Sequence, residues 1–467
     1  MKRYFNLLFC LLGALCWSPV LASDAVTADI DANAPIGWAT CASLSGGTYA
    51  VTGGGAQGKS ITLQSAGSTD MRSTITKAIK NNDIIVLDGS GTKGTDFIIS
   101  KNIDLSDLSN KTIVGINGAR LCTQWHLTPE LIALLDEAGV KDASTTGGGG
   151  TLSNGVKISE AAEYLTRKTL LEATGDAKES YRHSGIFTLS GCNNIIIRNL
   201  KLVGPGSVDV GGYDLISCNE GTTHLWVDHC DFTDGIDGNF DITHGSDFVS
   251  VTWCTFSYTA RSYMHQNTNL VGSGDHVTSD EDKLNVTFAY NIWGAGCRAR
   301  MPMVRYGTVH VFNNYYNCGG NLTACINPRK NSEVLIEGNY FDKEVSRVFS
   351  NNDSKGYVWD ESNYIGNAKT KKPASTYEVL DMPYIYNVRD AQTIPDVLTS
   401  PQGAGATLVS PLTIEETPTG IDPLVATPSS AEAQSSPAYD SYNLQGQPLA
   451  SHSKGLRVCS SKVIMQK

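Results

Sequence analysis

A six-residue pattern recurs along the chain from residue 197 onward and constrains the fold more than any other feature. The first position of the pattern is always apolar, the last is Leu or aromatic, and the fourth is Leu or Cys early in the chain and Asn later. Consecutive copies lie roughly 23 to 37 residues apart. The six copies are residues 197–202, 227–232, 251–256, 288–293, 311–316 and 336–341.

Such a spacing is typical of a solenoid whose coils carry loops of different length. Stacked coils place equivalent side chains about 4.8 Å apart, so aromatic columns and hydrogen-bonded Asn columns become favourable. A β-sandwich, in which side chains also alternate, is the alternative. The same residue types recur at the same pattern position, which favours an all-β, parallel β-helix.

Helices are predicted at two places outside the repeats. Met71, Ile75, Ala78 and Ile79 lie on one face of a helix that precedes a buried strand over residues 83–89. Segment 122–182 contains a helix start at Thr128, followed by Pro and Glu, and a second helical stretch over residues 159–173. We interpret this segment as a helical insertion on the scaffold, with a separate domain as the alternative.

The charge of the chain limits the class of partner. The chain has 467 residues and a formal net charge of −11, whereas proteins that bind nucleic acid usually carry a basic excess. Nucleic acid is therefore not an expected partner. An acidic chain that binds an acidic polymer needs local Arg and Lys side chains or a bridging cation.

The two ends of the chain read as targeting segments. Residues 1–22 have a basic start, a short apolar run and a small-residue cleavage site after Ala22, which predicts an exported, secreted protein without a membrane span. Residues 23–414 form the predicted body. Residues 415–467 begin as a Pro-, Ser- and Thr-rich linker, and the last stretch resembles a sorting tail of secreted bacterial proteins; a β-hairpin on the body is the alternative.

Ten cysteines follow the predicted signal segment, and an exported protein permits disulfides. Cys297 and Cys318 fall in the turns after consecutive coils, which makes them disulfide candidates. Cys230 and Cys254 share a column, where either a disulfide or a reduced ladder fits.

Charged motifs concentrate between residues 214 and 305. Three aspartates, Asp214, Asp237 and Asp241, precede an Arg-x-Pro-x-x-Arg motif formed by Arg300 and Arg305. A Trp-Val-Asp-His motif ends at His229, and an Asn-Lys-Thr-Ile-Val-Gly strand starts at residue 110. Together these motifs resemble the family 1 pectate lyases, and the likeness extends over most of residues 37–405, interrupted by the helical segment.

The resemblance implies a right-handed parallel β-helix with an N-terminal capping helix. It implies an enzyme whose calcium ligands are Asp214, Asp237 and Asp241 and whose catalytic base is Arg300. It further implies that Arg305 grips a substrate carboxylate and that Arg261 replaces a substrate-binding lysine. The Trp-Val-Asp-His motif is largely structural in the family, so no catalytic role is expected for its histidine.

One departure concerns Gly212, which stands where some family members carry a further acidic ligand. Substrate carboxylates are then expected to complete the metal shell.

The predicted function is calcium-dependent β-elimination of α-1,4-linked polygalacturonate, which yields 4,5-unsaturated oligogalacturonates. The expected partner is polygalacturonate or low-methyl pectin, bound by a monomer. A metal-independent pectin lyase acting on methyl-esterified chains is one alternative, and a non-catalytic β-helix that binds carbohydrate is another. The carboxylates favour the first reading over the pectin lyase, and the two arginines favour an enzyme over a binding module.

Overall fold

The computed structural model describes residues 33–140, 150–176, 180–208 and 212–414, together with the backbone of 455–459 and 462–466. The chain divides into two compact units, residues 1–419 and 420–467. The predicted signal segment 1–22 lies outside the described residues. In the second unit the described backbone forms one antiparallel hairpin, β27 (Gly455–Cys459) and β28 (Lys462–Gln466); the remainder of the predicted linker and tail beyond residue 414 lies outside the described residues.

Within its described residues the first unit contains three parallel β-sheets of ten, nine and seven strands. The ten-stranded sheet consists of β1 (Ser60–Gln64), β2 (Ile84–Asp88), β5 (Ser109–Ile116), β8 (Asn193–Arg198), β11 (Thr223–Asp228), β14 (Asp247–Thr252), β17 (Val286–Ala289), β20 (Thr308–Phe312), β23 (Glu333–Glu337) and β25 (Gly356–Trp359). The nine-stranded sheet consists of β3 (Asp96–Ile99), β6 (Arg120–Thr123), β9 (Lys201–Val203), β12 (Asp231–Thr233), β15 (Thr255–Ser257), β18 (Ile292–Trp293), β21 (Tyr315–Tyr316), β24 (Tyr340–Phe341) and β26 (Tyr364–Ile365). The seven-stranded sheet consists of β4 (Ile103–Ser106), β7 (Phe187–Ser190), β10 (Ile216–Asn219), β13 (Phe240–Ile242), β16 (Leu270–Val271), β19 (Met303–Val304) and β22 (Asn327–Pro328).

Each full coil contributes one strand to each sheet in turn, and coils stack in register. Val227 of β11, for example, lies opposite Ile197 in β8 and Val251 in β14. These three residues are the first position of the repeated pattern, so the pattern marks the pairing register. The predicted right-handed parallel β-helix is confirmed.

The corner between the ten-stranded and nine-stranded sheets turns through a left-handed backbone conformation. The third pattern position has a positive φ in all six repeats: Asn199 (57°), His229 (47°), Trp253 (52°), Tyr290 (58°), Asn313 (51°) and Gly338 (61°). Asn and Gly adopt this conformation at little cost, whereas bulky side chains rarely do. The bulky corner residues are stabilised by stacking: ring centroids of His229 and Trp253 lie 5.5 Å apart, and those of Trp253 and Tyr290 4.5 Å apart.

The interior is a column of aromatic rings, as the last pattern position predicts. Ring centroids of Phe232, Phe256, Trp293, Tyr316 and Phe341 follow one another at 4.9, 5.6, 4.8 and 4.4 Å. All five side chains are fully buried. Offset stacking of this kind stabilises a pair of rings beyond the burial of their apolar area.

An asparagine ladder runs beside that column. The side-chain amide of Asn291 donates to Oδ1 of Asn314 at 3.1 Å, Asn314 donates to Asn339 at 2.9 Å, and Asn339 donates to Asn363 at 2.9 Å. Each accepting oxygen also takes a backbone N–H from the coil before it. The ladder therefore satisfies buried backbone donors at the turn where the strand pairing is interrupted.

Helices cover the N-terminal end and one side of the coils. The described helices are α1 (Arg72–Asn81), α2 (Pro129–Glu137), α3 (Ile158–Thr174) and α4 (Ile394–Leu398), with 3₁₀ turns at Trp38–Thr40, Ser180–His183, Thr278–Asp280 and Ala391–Thr393. Ile75 and Ile79 of α1 are fully buried in the main core, as the predicted capping helix requires. Within the described ranges, none of the helices combines the length and the apolarity that a bilayer span needs.

Both helices predicted in segment 122–182 are present, between β6 and β7. Leu131 and Leu135 of α2 and Leu170 of α3 form a second apolar cluster, which also takes in Val208 and Ile236 from loops of the β-helix. The hydroxyl of Tyr263 donates to Asp136 of α2 at 2.7 Å. The helices therefore pack against loops that connect the nine-stranded and seven-stranded sheets.

Cys297 and Cys318, the disulfide candidates, are not paired. All nine described cysteines are free thiols. The Cys297 thiol donates instead to the carbonyl of Phe256 at 3.2 Å, while Cys318 faces the carbonyl of Gly319 in its own turn. Cys230 and Cys254 form a reduced pair, in which the backbone N–H of Cys230 donates to the Cys254 sulfur at 3.4 Å.

Replacing Asn314 by Ala should lower the free energy of unfolding by at least about 2 kcal/mol, because the backbone N–H of Asn291 and the carbonyl of Phe288 both lose a buried partner. Urea denaturation followed by circular dichroism measures the change. As control, Asn81→Ala at the exposed end of α1 should stay within about 0.5 kcal/mol of the parent. Equal midpoints for the two variants would show that the ladder does not stabilise the fold.

Candidate active site

Three predicted ligands meet on the seven-stranded sheet because neighbouring strands pair in register. Asp214 lies just before β10, Asp237 lies in the loop before β13, and Asp241 is the middle residue of β13. Ser217 of β10 is directly opposite Asp241 in the pairing. Parallel pairing places such residues about 4.8 Å apart, so the coil stack brings the carboxylates into one neighbourhood.

Two of the carboxylates are held by groups that the structure adds to the predicted site. The hydroxyl of Ser217 donates to Oδ2 of Asp214 at 2.9 Å. Nε2 of His265 lies 3.1 Å from Oδ1 of Asp237. Asn267 in turn contacts that histidine nitrogen at 2.9 Å, so the ring is fixed in place.

Asp241, the third carboxylate, and Gly238 show how closely the carboxylates are packed. Oδ1 of Asp241 accepts the backbone N–H of Leu270 at 2.9 Å. A Cβ atom at Gly238 would lie 2.6 Å from Oδ1 of Asp214 and 3.2 Å from Oδ1 of Asp241. Only glycine therefore leaves these two oxygens room.

Gly212, where some family members have an acidic residue, is enclosed. A Cβ atom there would lie 2.7 Å from a methyl carbon of Ile236 and 3.8 Å from Cβ of Asp237. Ile236 is itself fully buried in the apolar cluster with α2 and α3. A further acidic ligand at position 212 would require Ile236 to move.

Burial and mutual repulsion change the proton affinity of the cluster. Burial raises the pKa of Asp214 well above its usual range, and the charges of Asp241 and Asp237 raise it further. Burial also raises the pKa of Asp241 to about 7, although the nearby charge of Arg300 opposes the shift. A cation that offsets the negative charge would let both groups ionise.

The donor set fits Ca²⁺, although it does not form a complete shell by itself. Among the described residues, no three His, Cys, Asp or Glu side chains are arranged to hold a metal ion as they stand. The buried Oδ1 of Asp214, however, has no hydrogen-bond partner among them. Carboxylate oxygens are the ligands that Ca²⁺ prefers, so Asp214, Asp237 and Asp241 can supply part of a shell that other oxygens complete.

Arg300 stands beside this cluster with its guanidinium unengaged. Its backbone has a positive φ of 59°, and its carbonyl accepts the backbone N–H of Asn269 at 2.7 Å and the hydroxyl of Thr268. Within the described part of the chain, its guanidinium has no hydrogen bond or ion pair. The charge of Arg300 nevertheless lowers the pKa of both Asp214 and Asp241, which places the side chain close to them.

The guanidinium of Arg305, unlike that of Arg300, forms hydrogen bonds with neighbouring residues. Its Nε donates to Oδ1 of Asp275, and one terminal nitrogen donates to the carbonyl of Gly272 at 3.1 Å. Its side chain is 13% exposed, against 44% for Asp275. Asp275 thus fixes the orientation of Arg305, while the other terminal nitrogen makes no hydrogen bond to a described residue.

Arg261 lies apart from the carboxylates. It is exposed in the loop between β15 and β16 and donates to the carbonyl of Gly204 at 3.2 Å. Among the described residues no contact joins it to Asp237, Asp241 or Arg300. It lines a separate cavity beside the nine-stranded sheet.

The Trp-Val-Asp-His motif is structural, as predicted. Asp228 is fully buried and binds Nε of Arg198 at 2.8 Å, Nδ1 of His229 at 2.7 Å and the hydroxyl of Thr252 at 2.6 Å. Arg198 also donates to the carbonyls of two residues in the C-terminal segment, Pro411 and Thr413. The network therefore fastens that segment to the coils, and none of these hydrogen bonds involves Asp214, Asp237 or Asp241.

Sequence reasoning missed three residues of this neighbourhood, namely Ser217, His265 and Asp275. Ser217 carried a usable signal, because its spacing from Asp241 equals that between Val227 and Val251 of the repeat. His265 and Asp275 lie in connections that no repeat governs, and no pattern could have found them.

Comparison with known proteins finds similarity to pectate lyases. A family model described as pectate lyase matches residues 174–407. A probable pectate lyase B of Aspergillus terreus is 28% identical over 323 residues, which cover 62% of this chain and 93% of that protein. A probable pectate lyase B of Aspergillus flavus is 30% identical over 294 residues, covering 55% of this chain and 85% of that protein.

Solved structures show the same fold. A variant of the Bacillus subtilis pectate lyase gives a TM-score of 0.51 at 18% identity and covers 81% of this chain and 99% of its own. A Paenibacillus pectate lyase gives a TM-score of 0.51 at 15% identity and covers 82% of this chain and 97% of its own. At these identities the likeness concerns the fold alone.

The raised pKa values predict how stability depends on pH without calcium. An unfolded aspartate ionises near about pH 3.9, whereas Asp241 in the folded protein ionises at about 7. The cation-free protein should therefore lose stability as pH rises between these values. In EDTA, the stability of Asp241→Asn relative to the parent should therefore increase by about 1–3 kcal/mol between pH 5 and pH 8.

Thermal unfolding across this pH range measures the difference. Glu137→Gln, on the exposed end of α2, serves as the control and should show no pH-dependent difference from the parent. If the stability difference between Asp241→Asn and the parent is the same at pH 5 and at pH 8, the raised pKa of Asp241 is contradicted.

Proposed function

Because the chain belongs to the pectate lyase family, we propose that it cleaves α-1,4-linked polygalacturonate by calcium-dependent β-elimination, with Arg300 as the base. The enzyme is a polysaccharide lyase, and the products are 4,5-unsaturated oligogalacturonates. One observation carries the proposal for the site: a buried Asp214 oxygen without a partner stands among three carboxylates beside the unengaged guanidinium of Arg300.

The substrate explains why such a site is needed. A uronate carries a carboxylate next to C5, so loss of the C5 proton builds negative charge on that carboxylate, and departure of the C4 oxygen completes the elimination. Asp214, Asp237 and Asp241 would hold Ca²⁺, which when bound binds the substrate carboxylate and stabilises the developing charge. The incomplete protein shell leaves coordination positions for that carboxylate.

Arg300 would remove the C5 proton. Arginine side chains are ordinarily protonated, and a guanidinium accepts a proton only in its neutral form. A cation held by Asp214 and Asp241 would place positive charge beside Arg300, and nearby positive charge favours the neutral form of a basic group. The absence of a hydrogen-bond partner among the described residues leaves the guanidinium nitrogens available to the substrate.

Arg305 would hold a substrate carboxylate through its remaining terminal nitrogen, in the orientation that Asp275 sets. Arg261, in the loop between β15 and β16, would bind a more distant sugar. Export through the segment 1–22 would bring the enzyme to its polymer outside the cell. A pectin lyase that acts without metal is the second candidate, but it would have no use for three carboxylates at the reacting centre.

Arg300→Ala should lower kcat on polygalacturonate at least about 100-fold, because the C5 proton loses its acceptor. Arg300→Lys should also be badly impaired, since a single ammonium replaces the planar fork, and the parent should have an alkaline optimum. The assay is the ultraviolet absorbance of the unsaturated product. Arg298→Ala is the matched control, because this exposed arginine lies two positions away on the same loop; if Arg300→Ala keeps a tenth of parental kcat, the base lies elsewhere.

Calcium should be required, and free carboxylates on the polymer should be preferred. Chelation should abolish activity, and Asp237→Ala should raise the Ca²⁺ concentration for half-maximal rate at least about tenfold, since one ligand is lost. Highly methylated pectin should be a poor substrate because esterification removes both charge and ligand. Glu344→Ala, at an exposed turn, is the control; full activity after exhaustive chelation, or equal kcat/KM on fully methylated pectin, would favour the pectin lyase.

A further inference from the structure

A second cavity with cationic walls lies beside the nine-stranded sheet. Two adjoining spaces of about 350 and 710 Å³ share Arg120, Val203 and Arg261 in their walls. Lys201 lines the smaller space, and Lys93 lines the larger one. We call the two spaces together the outer cavity. Three aspartates, Asp96, Asp231 and Asp234, share these walls, so the lining carries one positive charge in excess within a chain of net charge −11.

The pairing register builds this wall. Arg120 of β6 lies directly opposite Lys201 of β9, which lies opposite Asp231 of β12. All three side chains are partly exposed and alternate with fully buried core residues such as Leu121 and Leu202. Alternation along each strand therefore directs them to the outer face of the sheet, in a row with about 4.8 Å between neighbours.

The acidic residues of the outer cavity are already satisfied by other groups. Asp234 accepts the backbone N–H of Thr259 at 2.7 Å, its hydroxyl at 2.6 Å, and the hydroxyl of Ser262 at 2.8 Å. Asp96 is bound by Arg120 at 3.0 Å, and Asp231 accepts the hydroxyl of Thr255 at 2.5 Å.

Apart from Arg120, which pairs with Asp96, the cations are less engaged. Lys201 and Lys93 have no hydrogen bond or ion pair with any residue that the structure describes. Arg261 donates only to a backbone carbonyl. Positive charge is thus available to an incoming anion.

Hydroxyl side chains complete the lining. Thr233, Ser257 and Thr259 face the smaller space, and Ser68 and Thr123 face the larger one. A wall that combines the unpaired cations Lys201 and Lys93 with hydroxyl groups matches a sugar that carries both a carboxylate and hydroxyls. We propose that the outer cavity is a second, non-catalytic binding site for uronate residues of the polymer, centred on Lys201.

The choice of a uronate as ligand rests on the proposed function. The site itself is separate from the carboxylate cluster, because none of the three aspartates lines the outer cavity. The two are linked through one connection, since the loop between β15 and β16 carries Arg261 on the cavity and His265 against Asp237. A long polymer bound in the outer cavity would therefore be retained close to the reacting centre.

Affinity electrophoresis through gels that contain polygalacturonate tests the proposal. The protein is Arg300→Ala in EDTA, so that neither cleavage nor calcium-bridged binding contributes. We expect polygalacturonate to retard this protein. Adding Lys201→Glu should raise the apparent Kd at least about tenfold, because one charge-assisted contact is lost. Lys77→Glu makes the same charge change on the exposed face of α1 and should leave the Kd within about twofold.

Two outcomes would overturn the proposal. Equal retardation of the Lys201→Glu and Lys77→Glu variants would show that the outer cavity does not bind the polymer. Equal affinity for dextran sulfate and polygalacturonate would show an unselective anionic-polymer surface and no uronate site. Thermal unfolding confirms that both variants fold, and Lys201→Met provides a milder change. Failure of the proposed chemistry would appear separately, as product formed by Arg300→Ala in calcium.

Discussion

Hydrogen bonding between successive coils, in one fixed register, is the constraint on which the rest of the structure depends. Because side chains alternate along a strand, a slip of one residue would exchange the inner and outer faces of a coil. The aromatic column, which requires Phe232, Phe256 and Trp293 to lie above one another, opposes such a slip inside the coils. The asparagine ladder opposes it at the corner, since each amide pairs with the next coil only in the native register.

The candidate site is a consequence of that register. Asp214 and Asp241 come from consecutive coils, and they converge because Ser217 and Asp241 are pairing partners. Burial, together with the charges of Asp241 and Asp237, raises the pKa of Asp214, so the fully ionised cluster is unfavourable without a cation. The pairing of successive coils therefore holds together carboxylates that would otherwise separate, as the proposed cation and substrate site requires.

Sequence patterns predicted the parts of the molecule that repeat. The columns that contain Phe256 and Asn314 identify the fold and its register, and the motif around Arg300 leads to the family. The bulky left-handed corner residue Trp253 could not be predicted, because its conformation depends on stacking with the next coil. The Arg305–Asp275 pair and the free Cys297 thiol depend on loops of irregular length, whose geometry no repeat specifies.

We propose that stacked coils assemble one calcium and substrate site from Asp214, Asp237, Asp241 and Arg300. Crystals of Arg300→Ala grown with Ca²⁺ and trigalacturonate test it most directly. We expect anomalous density for Ca²⁺ at about 2.3–2.6 Å from oxygens of these aspartates, with a sugar carboxylate completing the shell. Calcium and sugar bound elsewhere, with the three carboxylates uncoordinated, would contradict it.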